Sequence, residues 1–326
     1  MRIGPACGAV LLALLALVGC SESDRAAAPA PTSSAQASSA PSSSAPSSSA
    51  PTSSAPTPDG DGELVPPGLT DVPLPDLTTT PKTTALPRTF GADVSWPQCP
   101  KGMGIPKKRS EGAPMPTAAA RFLVIGLTNG PSFVANPCIA DQVAWARQRN
   151  LPVAAYAVVS YPDPRTLART RTSGPYDGRT RLGGLRNSGY QAARFNLRTL
   201  AAAGLPTPVV WVDVEPVTGF AWSADRAANA AVVEGTVRGY TDAGFRVGLY
   251  STPNLWQRVV GGLRIGGPEW RAAGTTSQAE ALRRCRDDWS FQGGPGVLAQ
   301  WVEDGRDRNV TCPGVIGDLS TWFGHF

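Results

Sequence analysis

Residues 208–216 of the chain read PVVWVDVEP, an apolar run that contains two acidic residues at its end, Asp213 and Glu215. Its β-branched composition favours a buried strand. Side chains of a strand alternate between its two faces, so residues two apart point the same way, with Cα atoms about 6.5–7 Å apart. We therefore expect both carboxyl groups to project into one site, with Val212 and Val214 on the opposite face.

Two carboxyl groups at this spacing suit the cleavage of a glycosidic bond. Charged neighbours repel, which raises the pKa of one carboxyl and leaves it able to donate a proton. The other then stabilises charge or activates water. The only histidine is His325, next to the last residue. Histidine-based triads, Cys–His pairs and multi-histidine zinc sites are therefore excluded, and no cofactor or metal is predicted.

Short apolar runs alternate with helical patterns around this strand, which is typical of a parallel α/β sheet. Strands are predicted at residues 90–95, 122–128, 153–159, 209–214, 246–251, 269–272, 297–301 and 315–319. Helices are predicted at residues 140–149, 190–203 and 223–243, the last with Ser223 as N-cap and Gly244 just beyond its end. Eight strands in about 240 residues predict a TIM-like (β/α) barrel. A doubly wound open sheet is the alternative, although no glycine-rich phosphate loop follows the first strand.

Acidic residues recur where the predicted strands end, which is where function collects in parallel folds. We expect a cluster of catalytic carboxylates there: Asp93, Asp213, Glu215 and Asp318. Helix capping or pairing with arginines is the alternative for any one of them. Nearby aromatic residues can stack on sugar rings or belong to the core: Trp96, Trp211, Tyr250 and Trp301.

Residues 1–20 are predicted to be a lipoprotein signal peptide. Arg2 gives a basic start, and residues 9–18 are all apolar, a run shorter than the roughly 20 residues of a membrane-spanning helix. The ending Leu17-Val-Gly-Cys20 resembles a bacterial lipobox, which predicts lipidation of Cys20 and location at the outer face of the cell membrane, within the cell wall. An ordinary cleavable signal is the alternative.

Residues 21–87 are predicted to be a disordered linker, because every position from 26 to 58 except Gln36 is Ala, Ser, Pro or Thr and nothing apolar is available to bury. Residues 88–326 then form the folded domain. Four cysteines in this exported domain predict two disulfides, for which we favour Cys99–Cys138 and Cys285–Cys312 because neighbouring strands bring their loops together at the mouth of the barrel.

The sign of the net charge changes at the boundary between the predicted linker and the folded domain. Residues 1–87 hold three basic and seven acidic residues, whereas residues 88–326 hold 27 and 18. A basic exported domain is attracted to anionic wall polymers, although an ordinary soluble surface explains the same charge. No basic run with interleaved aromatic residues indicates nucleic-acid binding. The sequence does not indicate an oligomeric state.

The ordered set of motifs resembles the lysozymes of glycoside hydrolase family 25. The motifs that carry the resemblance are FGADVSWPQ (90–98), FLVIGLTNG (122–130), LPVAAYAVVSY (151–161), VVWVDVEP (209–216), GFRVGLYSTPNLW (244–256), LAQWVED (298–304) and VIGDLSTW (315–322). The resemblance implies an irregular barrel of five βα units and three further strands, and a muramidase that hydrolyses the glycan of peptidoglycan. It also implies Glu215 as general acid, Asp213 as the residue that orients the substrate, and Gln98 as part of the site.

Two segments, residues 163–187 and 261–294, are expected to be insertions around the mouth of the barrel. Two other functions stay open beside cell-wall glycan hydrolysis. One is a barrel that binds wall polysaccharide without turnover, and the other is a glycosidase for another exported polysaccharide.

Overall fold

Eight strands close into a barrel in the computed structural model, which describes residues 88–326. They follow one another around the barrel in chain order: β1 (Phe90–Val94), β2 (Leu123–Gly126), β3 (Val153–Val158), β4 (Val209–Asp213), β5 (Arg246–Ser251), β6 (Glu269–Thr275), β7 (Gly296–Glu303) and β8 (Arg306–Thr311). Neighbours from β1 to β7 are parallel, and β8 is antiparallel to both β7 and β1. The predicted irregular TIM-like barrel is confirmed.

Helices pack outside the strands: α1 (Ile139–Gln148), α2 (Pro164–Thr170), α3 (Arg181–Ala203), α4 (Arg226–Thr241), α5 (Pro253–Val259) and α6 (Gln278–Arg283). Helix α4 begins after Asp225, whose carboxylate accepts hydrogen bonds from the backbone N–H of Ala227 and Ala228. The predicted N-cap Ser223 is therefore wrong. Gly244 follows the helix with φ +84°, as its position beyond the C-terminus predicts.

Strand alternation divides the core into two layers. Val212 and Val214 pack in the layer between strands and helices, whereas Trp211 and Trp270 fill the inside of the barrel. The predicted outward orientation of the two valines is confirmed. The barrel interior is thus a packed core, as in other barrels of eight strands, and above this core lies a cavity at the mouth of the barrel.

The predicted eighth strand at residues 315–319 is wrong. That segment belongs to the 3₁₀ stretch Ile316–Thr321, and the eighth strand is β8. The turn between β7 and β8 is Asp304-Gly305, with φ +52° and +67°, the backbone that a tight hairpin needs. This hairpin closes the barrel without a crossover helix.

Both predicted disulfides are present. Cys99–Cys138 joins the loops that follow β1 and β2 at the mouth. Cys285–Cys312 has the predicted pairing but lies at the opposite end of the barrel. Cys312 follows β8, and the N–H of Cys312 bonds to the carbonyl of Val297 near the start of β7. Because β8 runs antiparallel, its end lies where the other strands begin.

The predicted signal peptide (residues 1–20, with Cys20) and linker (residues 21–87) lie outside the described residues. Within residues 88–326, no helix has both the length and the apolar character needed to cross a bilayer.

Candidate active site

A cavity of about 530 Å³ occupies the mouth of the barrel, at the carboxyl ends of the parallel strands. Four carboxylates from three parts of the chain line it: Asp93, Asp213, Glu215 and Asp307. Asp93 and Asp213 lie at the ends of β1 and β4, and Asp307 lies on β8 opposite Val302. The closed barrel brings these groups together from positions more than 200 residues apart in sequence.

Asp213 and Glu215 face the same cavity, as the strand alternation predicts. The backbone around them is fixed on both sides, because the carbonyl of Asp213 accepts from the N–H of Val159 at 2.9 Å and the N–H of Val214 donates to the carbonyl of Tyr250 at 3.0 Å. The indole N–H of Trp222 donates to the carbonyl of Glu215 at 2.9 Å. The carboxyl group of Glu215 is half-buried, which leaves it within reach of a substrate.

Asp93 is held by an amide network. The side-chain amides of Gln300 and Asn309 donate to its Oδ2 at 3.0 and 2.6 Å. These amides are themselves oriented, since the hydroxyl of Tyr250 donates to Gln300 Oε1 at 2.7 Å and the indole of Trp270 donates to Asn309 Oδ1 at 2.8 Å. Asp93 is therefore fixed in position, as a carboxylate that orients a substrate must be.

The surroundings of Asp213 differ from those of Asp93, because no such amide network holds it within residues 88–326. It is 3% exposed, and its Oδ1 has no hydrogen-bond partner among the described residues. A buried polar atom without a partner is costly and calls for an explanation. Asp213 lines the mouth cavity, and its Oδ1 is not held by any donor of the described residues, in contrast to the fixed carboxylate of Asp93.

Burial raises the pKa of each cavity carboxyl, and neighbouring negative charges add to it for Glu215, Asp213 and Asp93. For Glu215 burial is the main cause and the charge of Asp307 adds to it, against the opposing charge of Lys108, giving a pKa of about 7. Burial raises the pKa of Asp307 to about 6. The pKa of Asp213 is raised by burial and by the charges of Glu215 and Asp93, and that of Asp93 by burial and the charge of Asp307, against its amide hydrogen bonds. Near neutral pH, Glu215 can donate a proton.

Asp307 is the cavity carboxylate that the sequence-based prediction lacks. The dipeptide Asp304-Gly305 is a signal for a two-residue hairpin turn. It pairs Val302 with Asp307 and Gln300 with Asn309, so it places Asp307 and Asn309 on the inner face beside Gln300. This signal was in the sequence.

Asp318 does not join the cluster. It is exposed, and its carboxylate accepts hydrogen bonds from the hydroxyls of Ser320 and Thr321, which lower its pKa, with Thr321 the larger cause. Its charge neighbour Arg246 begins β5, at the end of the barrel opposite the mouth. The expected position was wrong because residues 315–319 are not a strand.

Of the five predicted substrate-binding residues, Trp96 and Tyr250 line the cavity. Trp211 is fully buried beneath it, with its ring 6.1 Å from those of Trp270 and Trp322. Trp301 lies on the outer face of β7, because Gln300 faces inward. Gln98 uses its side-chain oxygen to accept from the N–H of Ser95 at 2.8 Å and does not line the cavity.

Other lining residues were not predicted, among them Tyr156, Trp270 and Lys108. The Lys108 ammonium lies 5.7 Å from the centre of the Trp96 ring, so one cation and one aromatic face border the acids. Single aromatic or basic residues carry no pattern that separates a site from a core, so only the fold identifies them.

The two segments expected to be insertions leave the cavity open. No residue of 163–187 lines it, and 261–294 contributes only positions of β6: Trp270, Ala272 and Gly274. In the described part of the chain, no group of three or more His, Cys, Asp or Glu residues is arranged to hold a metal ion.

No family model matches the chain. The curated relatives that it matches are lysozymes. It is 33% identical over 117 residues to probable GH family 25 lysozyme 4 of Dictyostelium discoideum, covering 35% of this chain and 49% of that protein. It is 34% identical over 74 residues to lysozyme-like protein 5 of Caenorhabditis elegans, covering 23% of this chain and 33% of that protein. The matches thus span half or less of each relative's length.

Solved structures with a similar fold include a family GH25 lysozyme from Aspergillus fumigatus, with a TM-score of 0.46 at 16% identity, covering 73% of this chain and all of that one. A bacterial lysozyme from Streptomyces coelicolor has a TM-score of 0.45 at 13% identity, covering 72% of this chain and 97% of that one.

Proposed function

We propose that the protein is a glycoside hydrolase that cleaves the glycan strands of peptidoglycan, as a muramidase. The observation that carries the proposal is Glu215, a half-buried carboxyl with a pKa of about 7 in an open cavity with three other acids. The local similarity to a GH family 25 lysozyme supports the choice of substrate.

In this reaction Glu215 donates its proton to the glycosidic oxygen as the bond from that oxygen to the anomeric carbon breaks. Positive charge develops on the anomeric carbon, and the neighbouring carboxylates stabilise it. Water supplies the hydroxyl that the anomeric carbon gains and returns a proton to the site. Attack by the acetamido oxygen of the substrate and direct attack by water both satisfy this balance, and the carboxyl group of Asp213, which lines the cavity, orients the acetamido group in either route.

The test is the release of reducing sugar from purified peptidoglycan by the purified protein. We expect Glu215→Gln to reduce kcat by at least about 100-fold while the circular dichroism spectrum stays that of the native protein. Glu234→Gln, a carboxylate on α4 outside the cavity, is the matched control and should retain full activity. Equal activity of Glu215→Gln and the native protein would contradict the role of Glu215.

We further propose that residues 1–20 are a lipoprotein signal, that Cys20 is lipidated, and that residues 21–87 link this anchor to the barrel, so that the enzyme acts in the cell wall from the outer face of the membrane. The lipobox-like ending at Cys20 supports this location. Metabolic labelling with a radioactive fatty acid should mark the native protein and not Cys20→Ala. Label on both proteins, or on neither, would contradict the anchor.

A further inference from the structure

A second depression, of about 750 Å³, adjoins the mouth cavity and is called the side groove below. Its walls are apolar and aromatic, with two cations: Lys107, Phe133, Tyr161, Leu167, Arg169 and Phe220. Leu167 and Arg169 belong to α2, within the segment 163–187 that was expected to be an insertion.

The side groove and the mouth cavity share one wall. Three loops each give one residue to the cavity and its chain neighbour to the groove, namely Lys108 and Lys107, Gly130 and Pro131, and Thr218 and Gly219. This wall is close-packed, because a Cβ on Gly130 would lie 2.9 Å from Cγ of Lys108 and 3.4 Å from the Phe220 ring. Because consecutive Cα atoms are about 3.8 Å apart, the wall is about one residue wide at these three places, and a side branch of a molecule in the cavity has only that width to cross to reach the groove.

The floor of the side groove is preformed. The N–H of Ser132 donates to the hydroxyl oxygen of Ser160 at 3.0 Å, and the N–H of Ser160 donates to the hydroxyl oxygen of Ser132 at 3.2 Å. These two bonds tie the loop after β2 to the end of β3. Phe133, the next residue, has φ +68°, a conformation that costs free energy for a bulky side chain and that a ligand-binding loop commonly retains.

The charge of the groove is positive. Neither Lys107 nor Arg169 takes part in an ion pair among residues 88–326. Lys107 lies 5.7 Å over the Phe220 ring. The one carboxylate on the lining, Asp163, already accepts from the N–H groups of Arg165 and Thr166 at the start of α2. Two cations with aromatic neighbours match an anionic, partly apolar ligand better than a neutral sugar.

We propose that the side groove binds the peptide that branches from the lactyl group of the glycan, with peptide carboxylates on Lys107 and Arg169. This inference rests on the proposed function, in which sugar rings occupy the mouth cavity. A stripped glycan strand keeps one carboxylate per lactyl group, held close to the sugar ring in the mouth cavity. A stem peptide diverges from the sugar and supplies carboxylates and small apolar side chains farther out, where the two cations of the groove lie.

The test compares two substrates made from one preparation: glycan strands with uncrosslinked stem peptides, and the same strands after an amidase has removed the peptides. We expect the native protein to cleave peptide-bearing strands with a kcat/KM about three- to tenfold higher, mostly through KM. The double variant Lys107→Ala/Arg169→Ala should lose this preference, while its kcat/KM on stripped strands changes by less than about twofold.

The matched control is Lys101→Ala/Arg194→Ala, which removes the same two charges at exposed positions outside both depressions and should keep the preference. Equal activity of the native protein on both substrates overturns the peptide assignment, as does an equal loss on both in the groove variant, which would indicate that sugars continue into the groove. If the native protein cleaves neither substrate, the proposed function itself fails.

Discussion

Glu269 on β6 and Asp213 on β4 are both buried carboxylates on barrel strands, and their surroundings are opposite. Glu269 pairs with the Arg271 guanidinium at 2.7 Å and accepts from the N–H groups of Gln292 and Gly294 at 3.0 and 3.1 Å. Asp213 has an oxygen with no partner. The first site lies where β6 begins and the second where β4 ends.

Glu269 therefore has a structural role, whereas Asp213 is not neutralised by a cation within residues 88–326 and can interact with a ligand. Arg271 also donates to the carbonyls of Arg284, Arg286 and Gly294, so the Glu269–Arg271 pair holds the long connection between β6 and β7 to the barrel. A neutralised charge can hold a loop, but it has nothing left to offer a ligand. The mouth acids keep that capacity, and burial, together with the charge of neighbouring acids, raises their pKa values.

The largest expected effect tests the structural half of this comparison. Arg271→Met leaves Glu269 buried without its cation, so we expect the free energy of unfolding to fall by about 3–5 kcal/mol. Urea denaturation measures the change. The double variant Glu269→Leu/Arg271→Met removes both charges but leaves the backbone groups that both side chains bind without partners, so it should recover only part of the loss. A single-variant loss below about 1 kcal/mol would show that the pair does not hold this region.

Replacement of a mouth carboxyl should stabilise the folded protein above neutral pH, whereas replacement of Arg271 destabilises it. The pKa of Glu215 is raised to about 7 in the folded protein, above its ordinary value, so the folded state binds more protons than the unfolded state between about pH 4.5 and 7 and stability falls as pH rises through that range. At pH 8 we expect Glu215→Gln to be more stable than the native protein by up to about 3 kcal/mol, and at pH 4 to match it. The same stability difference at both pH values would contradict the raised pKa.

The charge of Asp307 should contribute to the raised pKa of Glu215. This charge is the second cause that raises the pKa of Glu215, so Asp307→Asn should move the titration of the Glu215 carboxyl to lower pH, by less than about one pH unit. Carbon-13 NMR of the labelled carboxyl measures this shift whether or not the variant is active. An unchanged or higher midpoint would show that the two carboxyls do not interact.

The smallest expected effect comes from Lys108, whose charge lowers the pKa of Glu215 as the last of the three causes. Lys108→Met should move the same titration to higher pH, opposite to Asp307→Asn and by less. Lys101→Met, an exposed lysine outside the cavity, should leave the midpoint unchanged. A downward shift in Lys108→Met would reverse the assigned interaction.

Local patterns were sufficient for much of the fold. Alternation along β4 placed Asp213 and Glu215 on one face and Val212 and Val214 on the other, because strand geometry depends only on neighbouring residues. The same patterns failed at the end of the chain. An apolar segment at residues 315–319 was predicted as a strand, while β8, with Arg306 and Arg308 on its outer face, was missed despite the Asp304-Gly305 turn.

The sequence by itself predicted the barrel and the acidic pair at the end of β4, since these follow from periodicity and local spacing. It favoured the two disulfide pairs that the structure has, among the three pairings that four cysteines allow. Only the tertiary structure decided which other residues meet that pair. Asp307 and the amides of Gln300 and Asn309 reach the cavity because β8 runs antiparallel and closes the barrel, while Asp318 is carried to the opposite end. Closure of a barrel depends on pairings between distant strands, and no local pattern specifies where a residue far along the chain comes to lie.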